Sequence, residues 1–158
     1  MEMGKIASKK ESEKNNNNER VAMLSGLGAL FVFNILTLFF LYVDFKSVKN
    51  LNDLPIDLYS MLFVVTGITL IVTGNYMPKC KYNSLIGLRT TWSMKNEITW
   101  AKSQKFGGIC FILTGILMLF GNSLFIRGYY CIIYSALLMA CDLIVSIIYT
   151  YYVSKISQ

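Results

Sequence analysis

The sequence predicts an all-α, polytopic membrane protein with four transmembrane helices and a cytoplasmic interfacial loop and helix between the second and the third. Three observations carry this. Hydrophobic residues make up 54% of the chain and charged residues only 15%, against about 25% charged in soluble domains. Four apolar runs each approach or exceed the roughly 20 residues that a helix needs to cross the hydrocarbon layer. The cations outside those runs fall mostly on one side.

Residues 1–20 mix charges of both signs with four consecutive asparagines. They hold too little apolar surface to offset the entropy of ordering, so a disordered cytoplasmic tail is expected. Residues 21–43 follow with no charge in 23 positions. This run is too long for the core of a secretory leader and shows no small-residue cleavage site, so it reads as a retained anchor. Runs 58–77 and 106–126 are equally free of charge, and 129–153 holds one, Asp142. In lipid every backbone polar group needs a partner within its own segment, which makes each run a helix; barrel strands would be shorter and would alternate. Residues 21–158 thus form one four-helix membrane domain. Five Lys and Arg precede residue 21, six lie in 79–105 and one is Lys155, while Lys46, Lys49 and Arg127 are left for the other side. The asymmetry puts both termini and the 79–105 connection in the cytoplasm.

The net charge of +6 is then a topology signal, and nothing interleaves bases with aromatics on a soluble surface, so no direct nucleic-acid contact is expected. With no histidine and no CxxC pair, zinc sites and histidine-based nucleophiles lack their usual parts. Neither a GxSxG elbow nor paired membrane aspartates is present. The reading is a non-enzyme with no catalytic residues, metal or cofactor.

Two features stand out within the spans. Placed antiparallel, spans two and three bring Gly74 to the depth of Gly108 and Gly67 to that of Gly115. Small residues let helix backbones approach, so this stripe predicts a tight hairpin. Asp142 lies near mid-span, where a lone carboxylate costs roughly 2.5 to 3.5 kcal/mol on insertion scales. Asn34, Thr66, Thr69 and Thr114 lie at similar depth and are expected to cluster with it. Such a cluster suits a protonated structural acid or the proton site of a small exporter. The tyrosines near span ends read as headgroup anchors: 42, 59, 129 and 130 outside, and 76, 82, 149, 151 and 152 inside.

The connection between spans two and three runs for about 28 residues and holds both tryptophans, far more than joining two helices requires. Pro78 ends span two, and Gly87 permits a tight turn. Ser93 is the expected N-cap of an interfacial helix over 94–105, with Glu97 in its first turn. Arg89, beside Trp92, is placed to meet a phosphate, Glu97 or the indole face.

Residues 74–108 resemble the signature of the SdpI family, bacterial membrane proteins of immunity to a secreted killing peptide. That pattern runs GNxMPK, then N, then GIRTPWTL, NE, W, TH and GG. Gly74, Asn75, Met77, Pro78, Lys79, Asn83, Gly87, Arg89, Thr90, Trp92, Asn96, Glu97, Trp100, Gly107 and Gly108 match it without a gap. Thr91 stands in place of a proline, and Ser103 and Gln104 in place of a Thr-His pair. The resemblance implies a multi-pass protein of the bacterial cell membrane that confers immunity to, or senses, a hydrophobic toxin peptide. It further implies a cytoplasmic transcriptional repressor held at the membrane, beside membrane lipid, with function resting on Asn75, Arg89, Trp92 and Trp100. The alternatives are a proton-coupled exporter using Asp142 and an accessory membrane subunit.

Overall fold

A computed structural model describes residues 2–48, 57–83 and 87–156, with side chains from Met23 onward apart from Ser25. Its helices are α1 (Glu2–Phe45), α2 (Leu58–Tyr76), α3 (Glu97–Phe120) and α4 (Tyr130–Ile156). A 3-10 turn, Met77–Lys79, extends α2, and a π-helical turn, Gly121–Phe125, extends α3. Among the described residues four stretches are long and apolar enough to cross a membrane: Gly26–Phe45, Leu58–Lys79, Glu97–Phe125 and Tyr130–Ile156. The chain is a multi-pass membrane protein.

Two boundaries differ from the sequence expectation. The backbone of α1 is helical from Glu2, within the stretch expected to be a disordered tail. That stretch has no proline or other strong helix breaker after Gly4, so the helix propagates backward from the anchor. Its side chains lie outside the described residues. The second difference concerns α3, which begins at Glu97 and continues without interruption into the span, so no separate interfacial helix over 94–105 precedes it. The cap is Asn96, whose side-chain oxygen accepts from the Thr99 amide at 2.7 Å. Ser93 does not cap the helix because its hydroxyl is engaged in the loop, as described below. Glu97 does fall in the first turn, where its charge suits the helix dipole.

The glycine stripe forms as the sequence predicts. A Cβ on Gly74 would lie 2.6 Å from the Gly108 carbonyl oxygen, and one on Gly108 equally close to that of Gly74. Gly67 and Gly115 repeat this reciprocal contact at 2.7 and 2.5 Å, so backbone meets backbone along most of the α2–α3 hairpin. At the far end Asp57 caps α2 by accepting from the Tyr59 amide at 3.1 Å, and also accepts from the Gly128 amide at 2.5 Å. Ser60 donates to the Asn122 carbonyl nearby. α1 packs on α2, where Gly28 faces the Thr69 methyl.

α4 packs on α3 and touches α2 less extensively. Its buried face is polar: Ser135, Asp142, Ser146, Thr150 and Ser154 recur at helical spacing. Asn122 donates to the Ser135 hydroxyl at 3.1 Å, and the Phe106 and Tyr149 rings stack at 3.8 Å, which fixes the antiparallel register. Large apolar side chains such as Leu113, Ile116, Leu143 and Ile147 point outward instead. This distribution suits a protein whose surroundings are as apolar as its side chains and whose helices associate through small and polar groups.

Candidate functional site: the motif cap at one end of the bundle

Beyond the 3-10 turn the chain folds back over the N-terminal end of α3. Trp100, one turn inside that helix, is 1% exposed, and its indole N–H donates to the Cys80 carbonyl at 3.0 Å. Tyr82 packs edge-on against this indole with ring centres 5.5 Å apart, and its hydroxyl donates to the Met94 carbonyl at 2.9 Å. The buried ring therefore gathers both arms of the loop.

A second anchor lies one turn further along α3. The fully buried Gln104 amide grips one residue at both backbone groups: its oxygen accepts from the Leu88 amide at 2.9 Å, and its nitrogen donates to the Leu88 carbonyl at 3.0 Å. Gly87, with φ +111°, brings the backbone against that amide; a Cβ there would lie 2.5 Å from the Gln104 oxygen. Glycine is needed for both conformation and space.

A hydroxyl ring completes the cap. The Ser93 hydroxyl accepts from the Thr90 amide at 2.8 Å and is placed to donate to the Leu88 carbonyl at 2.8 Å. In return the Thr90 hydroxyl accepts from the Ser93 amide at 3.0 Å and lies 3.2 Å from the Thr150 hydroxyl of α4. Trp92 meets Tyr151 of α4 edge-on at 5.3 Å. The loop is thus a folded cap tied to α3 and α4.

These contacts divide the motif in two. Gly74, Met77, Trp100, Gly107 and Gly108 are buried, while Thr90, Asn96 and Asn83 are half-buried and shape the loop; the Asn83 amide donates to the Lys81 carbonyl at 2.7 Å. Exposed are Asn75, Pro78, Lys79, Gly87, Arg89, Trp92 and Glu97. Pro78 nonetheless lies across the glycine stripe, its ring 3.0 Å from where a Gly108 Cβ would stand. The Lys79 ammonium sits 4.7 Å over the Tyr76 ring. Among the described residues Arg89 meets neither the Trp92 ring nor a carboxylate; its guanidinium is presented outward. Burial pushes the Cys80 thiol above its ordinary pKa.

The polar groups at mid-span come together differently from the expected cluster. Asp142 is 9% exposed, and its Oδ1 has no hydrogen-bond partner among the described residues. Ser146, one turn on, and Cys110 of α3 are its neighbours, and Thr114 is buried on α3. Asn34 does not join them. It is exposed and donates to the Leu30 carbonyl of its own helix at 2.8 Å, since α1 packs on α2 whereas α4 packs on α3. Thr66 and Thr69 likewise bond back to Leu62 and Val65 of α2. No cluster of potential metal ligands occurs among the described residues.

Residues 79–150 match the SdpI/YfhL protein family. Over 138 residues, 87% of this chain, the sequence is 30% identical to the immunity protein SdpI of Bacillus subtilis (strain 168). The chain is similar to the SdpI family over that segment. It spans 62% of the length of that relative, and no solved structure matches it. The family segment covers the cap, α3 and most of α4, which are the parts joined by Gln104, Thr90 and Trp92.

Several residues that hold this cap escaped the sequence reading. Gln104 registered only as a departure from the family pattern, Ser93 as a helix cap, and Tyr82 and Tyr151 as headgroup anchors. A polar residue on the buried face of α3, one turn after Trp100, was the available signal for Gln104.

Proposed function

We propose that the chain confers immunity to a hydrophobic, membrane-active killing peptide, with the cap in the cytoplasm of the producing bacterium. The 30% identity to an immunity protein over 87% of the chain carries this reading. The cap supports it physically. Buried Trp100 and Gln104 hold a compact scaffold on which Arg89 and Trp92 are exposed, as an interaction surface requires and a simple helix connection does not. Peptide bound among the helices would alter the cap through the contacts of Thr90 and Trp92 with α4. A transcriptional repressor would then be held or released according to which cap state the peptide favours.

The test is survival of peptide-sensitive bacteria expressing the full chain, with membrane levels matched by blot and the repressor fraction in the membrane measured with and without peptide. Protection with repressor recruitment supports both parts. Protection without recruitment limits the role to immunity, and absence of protection at normal membrane levels refutes it. The proton-coupled exporter is the second reading, favoured by one observation, the unpartnered Oδ1 of buried Asp142. It requires that Asp142→Asn abolish protection.

A further inference from the structure

Between α3 and α4, at the end that carries the cap, lies an open groove of about 480 Å³. Lys102 and Lys105 stand at its mouth, level with Tyr152 and Val153 of α4, Phe106 and Tyr149 are stacked in its wall, and Ile109 continues it toward mid-span. Among the described residues no carboxylate lines it. The order of these groups along the helix axis is informative. Lys105 is the last charge before an apolar run that begins at Phe106, so the lysines lie at the level where headgroups end and hydrocarbon begins. A soluble anion would find the positive mouth but gain nothing from the apolar wall below it. A chain without charge would gain the wall but not the mouth.

We propose that this groove binds one anionic phospholipid, its phosphate between Lys102 and Lys105 and an acyl chain along Phe106, Tyr149 and Ile109. The lysines supply charge at the depth of the phosphate, and their stems and the aromatic rings cover the start of the acyl chain. The site is separate from Arg89 and does not depend on the immunity reading.

The experiment is native mass spectrometry of the full chain released from bilayers of equal phosphatidylglycerol and phosphatidylcholine. One phosphatidylglycerol is expected to remain bound. Each of Lys102→Gln and Lys105→Gln is expected to lower retention about fivefold, the contribution of one lysine at an anionic surface. Lys95→Gln, which removes an exposed charge from the cap, should leave retention unchanged. Ile109→Trp, which fills the exposed apolar wall without altering charge, should also lower it, and melting temperatures confirm that each variant is folded. Equal retention of phosphatidylcholine, or an equal loss with Lys95→Gln, would overturn the proposal. So would a lipid-free dimer disrupted by Ile109→Trp, which would assign the groove to a second copy of the chain.

Discussion

Replacing Gln104 with alanine removes the amide that grips Leu88, and the cost can be worked bond by bond. The Leu88 carbonyl keeps one donor, the Ser93 hydroxyl, so the loss there is one of two bonds. The Leu88 amide loses the side-chain acceptor that holds it. A lost bond is worth about 1 kcal/mol net, and a buried donor left unpaired costs about 1–3 kcal/mol, giving about 2–4 kcal/mol for opening the cap. At 1.4 kcal/mol per factor of ten, the opened population rises about 30-fold or more. Arg89 adjoins Leu88, so tryptic cleavage after Arg89 reports this opening when reclosure outpaces proteolysis. Arg127, at the opposite end of the bundle, is the internal reference. The expected result is a large gain in cleavage after Arg89 with cleavage after Arg127 unchanged. Equal cleavage after Arg89 in wild type and variant would refute the role assigned to Gln104.

Gly67→Leu should destabilise the α2–α3 hairpin by about 1–3 kcal/mol or more, because its Cβ would meet the Gly115 carbonyl oxygen at 2.7 Å; thermal unfolding in detergent measures it. Thr90→Val should loosen the cap from α4 by about 1–2 kcal/mol through loss of its contacts with Ser93 and Thr150, seen as faster amide exchange in the loop with the hairpin unaffected. Because burial raises the Cys80 thiol pKa, less thiolate is present at pH 8.5 than in a free cysteine. Alkylation of a variant retaining only Cys80 should therefore be slow at that pH and rise at higher pH, while Trp100→Ala moves the profile back down.

The spans were legible because bilayer thickness sets a length that no soluble helix must meet, and four uncharged or nearly uncharged runs meet it. The glycine stripe was legible because a short-lived list of constraints, antiparallel direction and equal depth, pairs Gly74 with Gly108 and Gly67 with Gly115. The start of α3 was not. Ser93 and Asn96 are both good caps in isolation, and the choice between them depends on the hydroxyl ring that Ser93 forms with Thr90. Gln104 and Leu88 are 16 residues apart, so their pairing follows from how the loop folds back and leaves no periodic trace. Depth alone grouped Asn34 with Asp142, whereas rotation about the helix axis and the order of packing separate them. Length and small-residue spacing reach the level of helices; the hydrogen bonds of an irregular cap belong to the level above.

The central claim is that a buried scaffold displays Arg89 for use rather than for stability. The direct measurement is survival of peptide-challenged bacteria expressing Arg89→Ala, read beside the melting temperature of the same purified variant. Loss of protection with an unchanged melting temperature is the expected result. Full protection by the variant, or protection lost only together with thermal stability, would contradict the claim.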